Sequence, residues 1–99
     1  MTKIIHKFPL KIIKNQIIEL PLFSEILTVQ VQRDKACLWA LVNPSILSKE
    51  ERHIDIYGTG HEIQHDYNLK YISTIQLQNG DLIFHVFEKV NENLTEESE

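Results

Sequence analysis

The run Leu27-Thr28-Val29-Gln30-Val31-Gln32 decides the fold class, because Leu27, Val29 and Val31 alternate with Thr28, Gln30 and Gln32. A period of two is that of a half-buried strand, one face on a core and the other in water. Arg33-Asp34-Lys35 follows as a short polar turn, and Cys37-Leu38-Trp39-Ala40-Leu41-Val42 is then a strand apolar on both faces. Cys37, Trp39 and Leu41 take one face, and Leu38, Ala40 and Val42 the other. A strand of that kind is central in its sheet, or turns one face to another subunit.

Working outward toward the N-terminus, two extended stretches are expected, with Ile4, Ile5, Phe8, Leu10, Ile12 and Ile13 before Lys14-Asn15 and Ile17, Ile18 and Leu20 after it. A hairpin turning at Lys14-Asn15 is expected, since Asn tolerates the positive φ of tight turns. Pro9 and Pro21 cannot donate to a ladder and belong at an edge, a bulge or a strand end. Toward the C-terminus, residues 45–51 form a polar excursion with room for one helical turn, and residues 52–57 resume a strand. Gly58-Thr59-Gly60 breaks it, and a polar connection runs to about Asn68. Residues 69–77 and 82–90 form the last pair, joined by Gln78-Asn79-Gly80-Asp81, where Asn-Gly is a strong hairpin signal. About seven short strands with turn signals between them predict an all-β chain, a small antiparallel sandwich or barrel with at most one short helix. One domain is expected over residues 1–90, and a disordered acidic tail over 91–99.

Hydrophobic residues at 42% and charged residues at 24% place the chain among folded domains rather than disordered ones. The net charge of −4 is concentrated in Glu92, Glu96, Glu97 and Glu99, so ten acidic and ten basic residues balance over positions 1–91. A neutral body lacks the basic footprint of a nucleic-acid binder, and no nucleic-acid partner is expected. Cys37 stands alone, which excludes an intrachain disulfide or a thiolate zinc site and fits a buried, inert thiol in a reducing compartment. The N-terminus lacks the apolar stretch of a signal peptide, and no segment reaches the ~18 apolar residues of a membrane span. A cytoplasmic protein without a membrane partner is expected.

His61-Glu62-Ile63-Gln64-His65 spells the H-E-x-x-H pattern of zinc proteases. That pattern works on a long helix, where both imidazoles meet one metal and the Glu polarises water. Here glycines precede it and a strand follows by about Leu69, which leaves room for two helical turns at most and no long helix to hold the ligands rigid. A looser metal site with Asp66 or His85 is set against solvated loop histidines, and no metal is expected. Nothing in the chain has the setting of a nucleophilic Ser, and Asp55, Glu62 and Asp66 cannot be paired in space from their spacing.

Tyr57-Gly58-Thr59-Gly60-His61 is the strongest site candidate. Two glycines let backbone N–H groups approach a ligand, Thr59 adds a hydroxyl, and Tyr57 and His61 offer flat faces with polar tips. This suits a nucleotide or a phosphate, although two glycines also serve an ordinary turn. The spacing is neither a dinucleotide-fold fingerprint nor a P-loop. Trp39 is either core or an exposed anchor. Leu82, Phe84 and Val86 oppose Ile83, His85 and Phe87, so a second strand is apolar on both faces, and this surplus predicts a homo-oligomer.

The segments Ile5-His6-Lys7-Phe8, Gln16-Ile17-Ile18-Glu19-Leu20-Pro21, Ile26-Leu27-Thr28-Val29-Gln30-Val31-Gln32, Cys37-Leu38-Trp39-Ala40-Leu41-Val42, Ile56-Tyr57-Gly58-Thr59-Gly60-His61 and Phe84-His85-Val86-Phe87-Glu88 resemble those of a family of small proteins found mainly in bacteriophages and prophages and carried as a domain of unknown function. The resemblance spans residues 3–89 and brings no settled activity. It implies a phage accessory protein in the infected host cytoplasm, of the kind that blunts host defences. The leading expectation is a homo-oligomer that sequesters a nucleotide immune signal, such as a cyclic oligonucleotide or a cyclic ADP-ribose derivative, without a cofactor or catalytic residues. Its ligand-binding set is Tyr57, Gly58, Thr59, Gly60, His61, Trp39, Arg52 and His85, with Arg52 or Lys70 neutralising phosphate. Two alternatives stand beside it: an inhibitor docking on a host protein through Trp39 or a strand edge, and a signal-degrading hydrolase using His61, His65 or His85.

Overall fold

In the computed structural model, which describes residues 2–64 and 68–90, the chain forms seven strands: β1 (Ile4–Pro9), β2 (Asn15–Pro21), β3 (Glu25–Gln32), β4 (Lys35–Val42), β5 (Lys49–Gly58), β6 (Asn68–Leu77) and β7 (Leu82–Val90). All pairings are antiparallel, in a three-stranded sheet ordered β1-β4-β3 and a four-stranded sheet ordered β2-β5-β7-β6. The described residues contain no helix. The expected all-β, antiparallel class of about seven strands is therefore present, in a two-sheet arrangement. Expected disorder over 91–99 falls outside the described residues.

The two sheets share one core. Leu38, Ala40 and Val42 of β4 and Val29 of β3 meet Leu20 of β2, Ile54 and Ile56 of β5, Ile75 of β6 and Val86 of β7. Phe8 and Ile18, from opposite sheets, close its margins. Where the sheets come together, β3 lies against β6 without a backbone ladder. A side chain joins them there: the Ser73 hydroxyl accepts from the Val29 backbone N–H at 2.9 Å and lies 3.0 Å from the Thr28 hydroxyl. An otherwise unpaired edge amide is thus satisfied.

Three expectations are corrected. The hairpin at Lys14-Asn15 does not form, because β1 pairs β4 and β2 pairs β5 in the other sheet. Residues 10–14 instead cross between the sheets. The Leu10 N–H bonds Ala36 on one side, and the Lys14 carbonyl accepts from Ile56 on the other. The Gln16 side chain clamps the crossover, donating to the Lys11 carbonyl at 2.7 Å and accepting from its N–H at 3.1 Å. Buried Leu10 gives the reason: crossing lets both strands and the link between them face a single core.

The alternation at 27–32 breaks at its first residue. A register shift between Ile26 and Thr28 marks a bulge, so Ile26 packs on the core and Leu27 is 41% exposed. Residues 45–51 contain no helical turn. Asn43 caps a tight turn through its side chain, which accepts from the Ser45 N–H, and β5 already starts at Lys49. Polar residues 49–51 extend the strand because β2 supplies a backbone ladder for them.

The other two expected tight turns form. Arg33 and Asp34 have φ of 54° and 62° between paired Gln32 and Lys35, the signature of a two-residue hairpin loop of the primed type. The Asn-Gly connection carries three positive φ values in succession, at Gln78, Asn79 and Gly80. These tips belong to different sheets and touch: the Asp34 carboxylate accepts from the Gln78 N–H at 2.8 Å.

Candidate functional site

Strand β5 ends at Gly58, and the chain reverses over Gly58-Thr59-Gly60-His61 with the His61 N–H bonded to the Gly58 carbonyl at 3.1 Å. Of the two central residues only Gly60 has positive φ (+89°), as a type II turn requires at its third position. His61 folds back so that its Nδ1 accepts from the Gly58 N–H at 3.3 Å. A Cβ on Gly58 would lie 2.9 Å from the His61 ring, so the absent side chain admits the imidazole.

Beneath this turn opens a cleft of about 550 Å³ lined by Ile12, Ile13, Lys14, Ile56, Tyr57, Gly58, His61, Glu62 and Phe84. Its lining joins the aromatic residues Tyr57, His61 and Phe84 with an apolar lip in Ile12 and Ile13 (37% and 45% exposed), one cation in Lys14 and one carboxylate in Glu62. Tyr57, Gly58 and His61 were legible as candidates. Ile12, Ile13, Lys14 and Phe84 were not, because they arrive through the crossover and from β7, and a site assembled from separate strands leaves no local pattern.

The outer face of the four-stranded sheet carries a second group of polar residues around the same turn. His85 pairs with Tyr57 of β5 and Thr74 of β6 across the strands. Its Nε2 lies 2.7 Å from the Thr59 hydroxyl and its Nδ1 3.0 Å from the Thr74 hydroxyl, which is 2.7 Å from the Tyr71 hydroxyl. Phe87 stands edge-on between Tyr57 and Tyr71, with centroids 6.0 and 5.7 Å away. Tyr57 donates to buried Asp55 at 3.0 Å, and the Asn15 amide donates to the other carboxylate oxygen at 3.0 Å.

Trp39 and Arg52 lie elsewhere. Trp39 is half-buried on the outer face of the other sheet, beside Ile5, Leu27 and Thr28, with the Lys7 ammonium 5.7 Å from its ring centroid. Arg52 precedes Gly58 by six residues on β5, a strand length of about 20 Å. Its guanidinium is engaged internally: a bidentate pair with Glu88 at 2.5 and 3.1 Å, the Ser24 carbonyl at 2.9 Å and Glu50 at 3.1 Å. The bond to Glu88 holds its pKa above the ordinary value, against partial burial that acts the other way. Lys70 lies beside the same ion pair, away from the turn. Among the described residues no group of three or more His, Cys, Asp or Glu side chains is placed to hold a metal, and His65 and Asp66 fall outside those residues. No helix among them is long and apolar enough to cross a membrane.

The fold and cleft define a small two-sheet antiparallel domain with a turn-built pocket at one end. Over residues 1–97 the chain matches the model of a domain of unknown function (DUF7352), and it belongs to that family. No curated protein and no solved structure matches it.

Proposed function

We propose that this protein binds a small nucleotide-type ligand in the cleft beneath the Gly58–His61 turn and sequesters it without altering it. The observation carrying this reading is the grouping of a single cation, Lys14, with the aromatic residues Tyr57, His61 and Phe84 in the lining of one opening. Pockets for small ligands run from about 300 to 1,000 Å³ and combine apolar walls with few polar groups, and a cleft of about 550 Å³ is of the right size for a nucleotide. Lys14 answers a phosphate, the rings answer a base, and Glu62 favours a donor such as an exocyclic amine or ribose hydroxyl. A homo-oligomer setting these clefts against one another would enclose more of the ligand.

The finer assignment, a phage accessory protein that captures a cyclic oligonucleotide or cyclic ADP-ribose immune signal in the host cytoplasm, rests on the resemblance to phage and prophage proteins alone. Its test is capture: the protein is incubated with cyclic dinucleotides, cyclic trinucleotides and ADP-ribose derivatives, freed of unbound ligand and heated. Recovery of one compound intact supports sequestration. A chemically altered compound replaces it with catalysis, and recovery of none removes the reading.

A second reading has its own support. Ile5 is 59% and Leu27 41% exposed beside Trp39 on the three-stranded sheet, an apolar surface of the sort a protein partner covers. An inhibitor docking there would lose its partner on Leu27→Glu substitution while keeping any ligand bound in the cleft.

A further inference from the structure

Thr59 stands at the tip of the turn with its hydroxyl exposed and 2.7 Å from His85 Nε2. The opposite ring nitrogen is held at 3.0 Å by Thr74, which is held in turn at 2.7 Å by Tyr71. A hydroxyl next to an imidazole whose far nitrogen is fixed by a third group is the arrangement that activates an oxygen nucleophile. We propose that Thr59 and His85 form a hydroxyl–imidazole dyad that accepts an acyl group from an activated ester, an activity separate from ligand capture in the cleft.

The proton positions are consistent around the chain. With the proton on His85 Nδ1, that nitrogen donates to the Thr74 oxygen, Thr74 donates to Tyr71, and Nε2 is left to accept from Thr59. Carbonyl attack is also open sterically. Gly60 follows Thr59, and a Cβ built there would meet nothing within 4 Å. The backbone N–H groups of Thr59 and Gly60 carry no backbone hydrogen bond among the described residues. They are the nucleophile's own amide and the next one along, where donors to a developing oxyanion are needed.

The Thr59 Oγ1 forms a bond to the acyl carbon and gives its proton to His85 Nε2. The tetrahedral oxyanion collapses, the bond to the leaving alkoxide breaks, and that oxygen takes the proton from Nε2. The products are an acyl-Thr59 ester, the free alcohol and neutral His85; no oxidant or metal takes part. Thr74 and Tyr71 act as positioning residues, holding the tautomer rather than touching the ester.

The full chain treated with p-nitrophenyl acetate tests this, with p-nitrophenolate release followed by absorbance and the acetylated residue located by peptide mass spectrometry. A release phase stoichiometric with protein and an acetyl group on Thr59 are expected. His85→Gln should slow the phase by about 100-fold, the scale of a lost general base, and Thr59→Val should abolish it. Thr59→Ser should retain it. Tyr71→Phe should leave the acetylated residue unchanged while slowing release, a change in rate that loss of fold would not give at an unaltered melting temperature. Acetylation spread over lysines with none on Thr59, or equal rates for wild type and a folded His85→Gln variant, would overturn the proposal.

Discussion

The His61 imidazole occupies the space that a side chain on Gly58 would need: a Cβ there would approach the ring to 2.9 Å while the Gly58 N–H donates to the same ring. One residue's lack of a side chain therefore sets the orientation of the other, and that orientation shapes the roof of the cleft. Gly58→Ala pushes an exposed ring into solvent rather than into packed backbone, so the stability cost should be under about 1 kcal/mol, on the scale of a single exposed hydrogen bond. Affinity for a cleft ligand should fall while the melting temperature barely moves. Calorimetric titration and thermal melts of the variant check the two together. Gly60→Ala should behave oppositely, because the strain of positive φ, about 1–2 kcal/mol, appears in stability.

Lys14 is the one cation lining the cleft. Lys14→Met keeps the aliphatic stem and removes the charge. Loss of a charge-assisted contact of about 1.4 kcal/mol corresponds to a roughly ten-fold weaker affinity for a phosphate-bearing ligand. Raising the salt concentration should weaken wild-type binding and leave the variant nearly indifferent. Titrations at two ionic strengths give both results.

The Arg52–Glu88 pair should matter to folding and not to the site. Arg52→Met strands the Glu88 carboxylate and removes a donor from the Ser24 carbonyl, in a setting where the two side chains are 18% and 12% exposed. A cost of about 2–3 kcal/mol is expected, less than for full burial because water still screens the pair. Urea unfolding measures it. Ligand affinity in the cleft should be unchanged, because the guanidinium lies about 20 Å down the strand. Its pKa is raised on folding, so the linked stability is complete below the unfolded value and is lost only in strong alkali. The arginine should hold its charge throughout the ordinary pH range.

Asp34 joins the tip of one hairpin to that of the other by accepting from Gln78. Asp34→Ala should cost about 1–2 kcal/mol, combining a lost charge-assisted bond with the strain of Ala at φ 62°. Asp34→Asn keeps an acceptor and a residue tolerant of that conformation, and should lose less. Thermal unfolding of the two variants separates these contributions.

The fold class was legible wherever alternation was local. Val29 and Val31 against Gln30 and Gln32, the two-faced strand at 37–42 and the Asn79-Gly80 turn each report their own backbone through side-chain pattern or φ preference. Pairing was less legible. Lys14-Asn15 offers a plausible turn, but buried Leu10 and the Gln16 clamp direct the chain into the second sheet, and both depend on contacts that form only in the folded state. Leu27 sits on a bulge, which moves it out of the face its neighbours share. At the site, Tyr57, Gly58, Thr59, Gly60 and His61 were visible because they are consecutive, and His85 joins them through its cross-strand neighbour Tyr57. Lys14 comes from the crossover and Phe84 from β7, and neither carries a local signal. Arg52 offers the sequence only its residue type, and its partners Glu88 and Ser24 are brought to it by tertiary packing.

The most direct test of ligand binding in the cleft is the melting temperature of the wild-type protein and of Lys14→Met, each measured with saturating cyclic dinucleotides, cyclic trinucleotides and ADP-ribose derivatives. A ligand at about 100 times its Kd stabilises the native state by about 2.7 kcal/mol, a shift of several degrees for a domain of this size. The account predicts that at least one of these compounds raises the wild-type melting temperature and has a much smaller effect on Lys14→Met. No shift with any of them, or an equal shift in both proteins, would contradict binding at this cleft.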